Sequence, residues 1–296
     1  MRYEKFVQEM YGRIQETVKD KYIVRLEEVM KCNDTKQKKL VFKSRTKKIQ
    51  ADPAISLEGF FEMYQSGIPI SGCERVILNC VAEAEQGSNT ELWEKMISSW
   101  ETAKEHVYPI LVSKERNKEF LKELVWKPFL DLAVCYALVL PMDDRQGNMK
   151  IRKEHLDLWG IKEEEVIAQA EENNLKQGYS LRDMSKLLPK MLGGSKTEEK
   201  EKIEESGMYV LSNQDNIYGA AKLLCKPFME RIADGKSFYI LPSSVHELIL
   251  VVEWVRIARE ELDEMVREVN RTEVAEEEIL SDHAYYYNGK TGEIAM

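Results

Sequence analysis

Residues Leu130–Leu140 read LDLAVCYALVL, a nearly continuous apolar run broken only by Asp131. Such a run indicates a central strand of a sheet. Two further segments are predicted to form strands near it. Tyr108–Val112 precedes it in the chain, and Met149–Trp159 follows after a turn at Asp143–Asn148, where we expect it to pair with the central strand. The middle of the chain is therefore predicted to form a small sheet.

Elements of both kinds are predicted on either side of this sheet. Helices are expected from apolar residues at three- and four-residue spacings, at 3–18, at three short segments between 56 and 100, and at 163–172, 180–188, 217–233 and 254–269. Strands are expected at 22–31, 39–45, 208–211, 238–241 and 247–252, and a closing hairpin at 284–294 turns on Asn288-Gly289. The predicted fold class is α+β, with mixed or antiparallel sheets packed with helices and a long amphipathic helix near the C-terminus.

The order of these elements suggests four parts. Residues 1–106 hold a helix, a basic hairpin and short helices, and residues 107–192 form a first α+β unit. Residues 193–207 are polar and are expected to be a linker or loop. Residues 208–296 form a second α+β unit with the C-terminal helix and hairpin.

The two α+β units share short phrases. Lys127-Pro128-Phe129 aligns with Lys226-Pro227-Phe228, and Leu140-Pro141 aligns with Leu241-Pro242 after a two-residue insertion. An internal duplication would make both units read strand, helix, strand, turn, strand. A chance match of this length is the alternative.

Composition limits the location of the protein. The chain has 296 residues and no run of 18 apolar residues, so no membrane-spanning helix is expected. Glu4 and Glu9 interrupt the apolar N-terminal residues, so no signal peptide is expected either. Five cysteines without an export signal are typical of reduced thiols, which favours a cytoplasmic location.

Charge is unevenly distributed. The net charge is -9, but the first fifty residues hold 14 Lys/Arg against 7 Asp/Glu, which leaves about -16 for the remainder. The Lys36–Lys48 hairpin could bind phosphate or nucleic acid through this basic segment. No aromatic residues alternate with the lysines for base stacking, so a solvated hairpin edge protected by lysines is the simpler interpretation, and nucleic acid is an unexpected partner.

The sequence Pro242-Ser243-Ser244-Val245-His246-Glu247 contains a hydroxyl, an imidazole and a carboxylate within six residues. A serine hydrolase could use Ser243 or Ser244 with His246, taking its carboxylate from Asp282 or Asp144. The nucleophile-elbow pattern G-x-S-x-G is absent. The alternative is a turn with a surface histidine, in which Pro242, His246 and Glu247 could contact a ligand. His246 and Glu247 would point to opposite faces of an extended strand.

No metal or cofactor site is predicted. The four histidines at 106, 155, 246 and 283 are scattered, and neither H-E-x-x-H nor C-x-x-C occurs. Structural and catalytic metals need three or four ligands in a compact arrangement.

Three phrases resemble an uncharacterised domain family. They are FYILPSSVHE at 238–247, YVLSN at 209–213 with YGAA at 218–221, and FLDLAV at 129–134. The sequence is similar to a family of unknown function from Gram-positive gut anaerobes, and more distantly to the uncharacterised YtpQ-like proteins. The resemblance spans nearly the whole chain. It implies a cytoplasmic bacterial protein and carries over no activity, cofactor or catalytic residue.

Two classes of function follow. The first is a non-catalytic binding or regulatory module that receives a protein or peptide at an exposed strand edge or beside the Trp254–Val269 helix. The second is the serine hydrolase. Because no complete catalytic constellation is present in the sequence, the binding module is the preferred hypothesis. Phosphate or nucleic-acid binding by the basic hairpin is a third, weaker one.

Overall fold

A computed structural model of the chain describes residues 1–46, 52–86, 95–142, 145–184, 200–204, 207–252 and 258–296. Its helices and antiparallel sheets confirm the α+β fold class. The chain divides into two compact units. Unit 1 comprises Met1–Lys31 and Thr35–Ser98, and unit 2 comprises Cys32–Asp34 and Ser99–Met296. The domain boundaries at 106/107 and 192/193 stay predictions.

Unit 1 packs helices on a three-stranded sheet. Its elements include α1 (Tyr3–Val18), β1 (Tyr22–Met30), β2 (Lys36–Ser44), β3 (Ala54–Ser56), α2 (Glu58–Gln65) and α3 (Ile70–Gln86), with strand order β1-β2-β3. The apolar stripe of α1 is buried, as its spacing predicts, at Phe6, Met10 and Ile14. It belongs to one core with Leu40 and Phe42 of β2.

The first sheet of unit 2 is built on the predicted central strand. Following the short helix α4 (Trp100–Ala103), its strands are β4 (Val107–Ser113), β5 (Trp126–Phe129), β6 (Leu132–Met142) and β7 (Arg145–Lys150). Strand β6 pairs antiparallel with all three others, and every residue from Leu132 to Leu138 is buried. The central strand is therefore confirmed, although Leu130 and Asp131 lie in the turn that precedes it.

The prediction of one strand over Met149–Trp159 was wrong in its second half. Strand β7 ends at Lys150, and Lys153–Trp159 forms helix α5. The His155 Nδ1 atom accepts a hydrogen bond from the Arg152 backbone amide at 3.0 Å. This contact satisfies an amide at the start of the helix that has no intrahelical acceptor.

The second sheet of unit 2 has six strands in the order β13-β12-β10-β11-β9-β8, all antiparallel. They are β8 (Ser180–Asp183), β9 (Met208–Ser212), β10 (Phe238–Leu241), β11 (Leu248–Val252), β12 (Tyr285–Tyr287) and β13 (Ile294–Ala295). The closing hairpin is confirmed by β12 and β13. Helix α8 (Arg259–Thr272) confirms the amphipathic C-terminal helix, since Leu262 and Val266 share a core with β10 and β11. The predicted start of that helix at Trp254 falls outside the described residues.

Two helix predictions were wrong in this part of the chain. Residues 180–183 are strand β8, whose hydrogen bonds to β9 determine its conformation; residues 185–188 are not described. Residues 217–233 are not one helix but a 3₁₀ helix (Gly219–Leu224) followed by helix α7 (Lys226–Ala233). Pro227 has no backbone N–H, so it fits the first turn of a helix and not the interior of a longer one.

The repeat of strand, helix, strand, turn and strand that an internal duplication would give is not what the two α+β segments form. Lys127-Pro128-Phe129 lies in strand β5, whereas Lys226-Pro227-Phe228 begins helix α7. The strand order also differs, because β4 pairs with the next long strand, β6, while β9 pairs with β11 and not with β10.

Helix α6 (Glu163–Lys176), also in unit 2, has its C-terminal end beside β4 and the 3₁₀ helix. A three-residue turn, Cys32–Asp34, also belongs to this unit. Asn33 donates to the backbone oxygens of Glu276 and Ile279 at 2.6 and 2.8 Å. Asp34 accepts from the backbone amides of Glu119 and Phe120 at 3.0 and 2.8 Å. No helix in the described ranges is both long and apolar enough to cross a membrane.

Candidate functional site

The turn between β10 and β11 holds the residues that the sequence singles out. The Ser244 hydroxyl accepts a hydrogen bond from the His246 backbone amide at 3.0 Å, and the Ser244 amide donates to the Glu247 carbonyl at 3.2 Å. The Ser212 hydroxyl donates to the His246 carbonyl at 2.8 Å. Pro242 is buried and Ser243 is partly buried. The serine and backbone groups of this turn thus fix its own shape.

The imidazole of His246 has partners on both ring nitrogens. Nδ1 accepts the Tyr218 backbone amide at 3.1 Å, and Nε2 lies 3.2 Å from the Glu278 carboxylate. The ring also stacks on the Tyr218 ring at a centroid distance of 5.4 Å. A general base needs a free nitrogen lone pair facing the nucleophile. Here the Nδ1 lone pair is used by a backbone amide, and Nε2 faces a carboxylate.

The other carboxylates proposed for a hydrolase lie elsewhere or are not described. Glu247 is 3.9 Å from the Arg182 guanidinium. Asp282 bonds to Arg116 at 2.8 Å and to Asn270 at 3.0 Å. Asp144 falls outside the described residues. The carboxylate that does face His246 belongs to Glu278, which is 32 residues away in the chain and was not predicted. The hydrolase built on Ser243 or Ser244 stays a prediction.

Through its ring, His246 holds Tyr218 in an uncommon backbone conformation. Tyr218 has a φ of 57°, a left-handed conformation that costs a non-glycine residue about 1–2 kcal/mol. Its hydroxyl accepts from Lys150 Nζ at 2.7 Å, and the same ammonium lies 4.2 Å from the ring centroid. At the next residue, Gly219, a methyl group would overlap the Ser212 hydroxyl and lie 2.6 Å from the His246 carbonyl oxygen. Tyr218 is therefore firmly positioned.

Tyr218 forms part of the wall of a narrow crevice. The volume of this crevice is about 10 Å³, which is room for about one water molecule. Its lining combines aromatic, amide and apolar side chains: Tyr108, Pro109, Val139, Asn174, Gln177, Asn213, Ile217 and Tyr218.

A wider polar cleft adjoins this crevice. Its volume is about 490 Å³, within the range of small-ligand sites. Its lining is polar: Lys104, Glu105, Tyr108, Gln169, Glu172, Asn173, Lys176 and Gln177. Tyr108 and Gln177 line both cavities, so these two side chains mark where the crevice meets the cleft. Burial, together with the nearby charge of Asp215, raises the pKa of Tyr108, which keeps its hydroxyl protonated.

Two consecutive asparagines fix the end of α6 beside these cavities. Asn173 donates to the carbonyls of Lys104 and Val107 at 2.7 and 2.9 Å. Asn174 donates to the Ala221 carbonyl at 3.0 Å. Because these amides bond to backbone atoms, the helix end is held in one position relative to β4 and the 3₁₀ helix.

Lys222 caps the same helix end from inside the protein. Its side chain is 1% exposed, and Nζ donates to the Asn174 carbonyl at 2.8 Å, to Asn174 Oδ1 at 2.7 Å and to Gln177 Oε1 at 2.9 Å. The last carbonyls of a helix lack intrahelical partners and carry partial negative charge, which favours a cation there. Burial lowers the pKa of Lys222 to about 8, while Cys225 and Asp215 oppose this shift.

Sequence reasoning missed Lys222. A signal was available in the lysine's position within an apolar run, since Lys222 is flanked by Ala220, Ala221, Leu223 and Leu224, and a lysine is seldom fully buried unless it is paired. The segment was interpreted only as part of a helix over 217–233.

Glutamates of β1 lie opposite lysines of β2 and partly neutralise the positive charge of the basic hairpin. Glu27 lies opposite Lys39 and Glu28 opposite Lys38, and Lys36 Nζ is 2.8 Å from the Glu28 carboxylate. Lys47 and Lys48 are outside the described residues. Phosphate or nucleic-acid binding there stays a prediction, and steep salt dependence would be its signature. Over the described ranges, no three His, Cys, Asp or Glu side chains are grouped so as to hold a metal ion.

Comparison with known proteins identifies the family and nothing more specific. No curated protein and no solved structure matches the chain. One family model covers residues 3–289, which include both units' sheets up to β12 and all residues of the crevice, the cleft and the His246 turn. The chain belongs to this family, a family of unknown function designated DUF5688.

Proposed function

We propose that this protein is a non-catalytic binding module that receives a peptide in the polar cleft beside α6. One observation carries the proposal: the Ser244 hydroxyl fixes the backbone of the 242–247 turn, and the His246 imidazole of that turn accepts the Tyr218 amide and stacks on the Tyr218 ring at the wall of the adjoining crevice. The His246 imidazole, which suggested catalysis, therefore positions Tyr218.

The lining of the cleft suits a peptide more than an apolar ligand. Gln169, Asn173 and Gln177 carry amides, which can both donate to and accept from peptide groups. The lining holds two lysines, Lys104 and Lys176, and two glutamates, Glu105 and Glu172, so the cleft has no dominant charge. A short polar segment with mixed charge would be complementary to this surface.

Binding can be tested with a pool of acetylated tripeptides titrated into ¹⁵N-labelled protein. We expect the side-chain amide signals of Gln169, Asn173 and Gln177, which line the cleft, to shift with saturation. Lys176→Glu, in the cleft, should weaken binding. Lys118→Glu makes the same change of charge at an exposed lysine that, like Lys176, pairs with a nearby glutamate, and it should bind normally. Unchanged signals at millimolar peptide, or equal weakening by both variants, would refute the proposal.

The hydrolase alternative has a direct test. A fluorophosphonate probe reacts with an activated serine, and we expect it not to label this protein. Labelling that disappears in Ser243→Ala or Ser244→Ala would overturn the binding-module proposal. Direct ligand contact by Pro242, His246 or Glu247 is a narrower version of the proposal, and the same titration addresses it through the His246 ring signals.

We further propose a cytoplasmic, bacterial protein, as the resemblance implies. None of the five cysteines, all of which lie in the described ranges, forms a disulfide, which is typical of a reducing compartment. Cell fractionation of a bacterial host with an antibody against the protein would test the location, and recovery outside the cytoplasm would contradict it.

A further inference from the structure

The buried ammonium of Lys222 is bonded only to neutral groups. Its three N–H donors are all used, and all three acceptors are amide or peptide oxygens of Asn174 and Gln177. Buried charges in proteins are ordinarily paired with an opposite charge. Lys222 thus supplies a positive charge that a bound anion could neutralise.

This ammonium lies directly behind the crevice. Asn174 and Gln177, which accept its hydrogen bonds, are both lining residues of the crevice. Gln177 is only partly buried and also lines the cleft. It follows the last residue of α6, so its side chain is attached at the end of the helix and separates Nζ from the cavities.

We infer that Lys222 and the crevice form a subsite for the free C-terminal carboxylate of a peptide lying in the cleft, with a carboxylate oxygen replacing Gln177 Oε1 on the ammonium. This rests on the proposed function. The crevice holds about one water in its present form. The carboxylate would enter as the Gln177 side chain turns towards the cleft, which would also free Asn213 Nδ2, now 3.5 Å from Gln177 Oε1, to donate to it.

Asp215 opposes the anion and gives a second way to examine the subsite. Its carboxylate accepts from Gln177 Nε2 at 3.1 Å, and its negative charge raises the pKa of Lys222 against the larger effect of burial. Removing this negative charge should favour a bound carboxylate. Asp215→Asn should therefore bind the peptide acid more tightly than the natural protein does.

The test compares one acetylated tripeptide pool in two forms, with a free C-terminal acid and with a C-terminal amide. We expect the acid to bind at least about tenfold more tightly, a difference of about 1.4 kcal/mol. Gln177→Glu places a carboxylate on the ammonium and should abolish the preference for the acid. Lys222→Met should also abolish it. Lys226→Met, an exposed lysine near Glu230, should keep it.

Each outcome decides the question. Equal binding of acid and amide would refute the carboxylate subsite and leave the peptide-binding module intact. A preference for the acid that persists in Gln177→Glu, a variant that keeps the hydrogen bonding of Lys222, would also refute the subsite. Binding of neither form would refute both proposals.

Discussion

The burial of Lys222 makes the stability of the protein depend on pH in a measurable way. Its folded-state pKa is about 8, against an ordinary value of 10.5. The unfolded chain therefore binds this proton more tightly than the folded chain. Between these two values the folded state has largely lost this proton while the unfolded state still holds it, so the free energy of unfolding rises with pH. Below pH 8 both states are protonated and Lys222 contributes no further pH dependence.

The size of the effect follows from the two pKa values. At 1.36 kcal/mol per pKa unit, the difference corresponds to about 3.4 kcal/mol over the whole range. Between pH 7.5 and 9.5, the same linkage relation gives about 2 kcal/mol. Such a change is a substantial part of the 5–15 kcal/mol that is typical of whole domains.

Urea denaturation at pH 7.5 and 9.5 would measure it. Burial also raises the pKa of Cys135 and Cys225, which lowers stability over the same interval in every variant. The informative quantity is therefore a difference between proteins. On going to pH 9.5, the natural protein should gain about 2 kcal/mol relative to Lys222→Met. The exposed control Lys226→Met should behave like the natural protein. Identical pH dependence in the natural protein and Lys222→Met would refute the reasoning.

Two further predictions concern backbone positions. Gly219→Ala should destabilise the protein by about 1–3 kcal/mol, because the added methyl group overlaps the Ser212 hydroxyl. By contrast, Gly12→Ala in α1 should stabilise the protein by about 0.5–1 kcal/mol, because no atom lies within 4 Å of the new methyl group. Thermal unfolding of both variants checks this, and similar melting temperatures would contradict it. Asn33 has a φ of 59°, so Asn33→Ala should lose about 1 kcal/mol more than Asn33→Gly, which removes the same side-chain hydrogen bonds without the strain. Equal losses in urea denaturation would show that the left-handed conformation carries no cost.

The sequence predicts those elements whose local pattern agrees with their final environment. The apolar run that became β6 is buried over Leu132–Leu138, and the α1 stripe is buried at Phe6, Met10 and Ile14. These two patterns predict the correct element because each apolar residue in them is placed by its burial. The helix at 153–159 and the strand at 180–183 were misassigned because both are short. Their conformations depend on partners, the Arg152–His155 contact and the ladder with β9, that no local pattern reveals.

The candidate site was only half predictable for the same reason. The 242–247 turn was identified from its residue types, but the role of His246 depends on Tyr218 and Glu278, which are 28 and 32 residues away. The importance of Lys222 depends on the end of α6, 48 residues earlier. Contacts of this range are created by the strand order, and the strand order was not predicted.

The membership of Cys32–Asp34 in unit 2 has a practical consequence for dissecting the protein. A fragment starting at Ser99 would include every strand of the two larger sheets, yet it would lack Asp34, which caps the amides of Glu119 and Phe120. It would also leave Asn117, which is fully buried, without the Asn33 partner for its side-chain amide. Limited proteolysis or gene truncation at residue 98 would therefore yield a fragment with unsatisfied polar groups. Supplying residues 30–36 as a separate synthetic peptide should restore its stability.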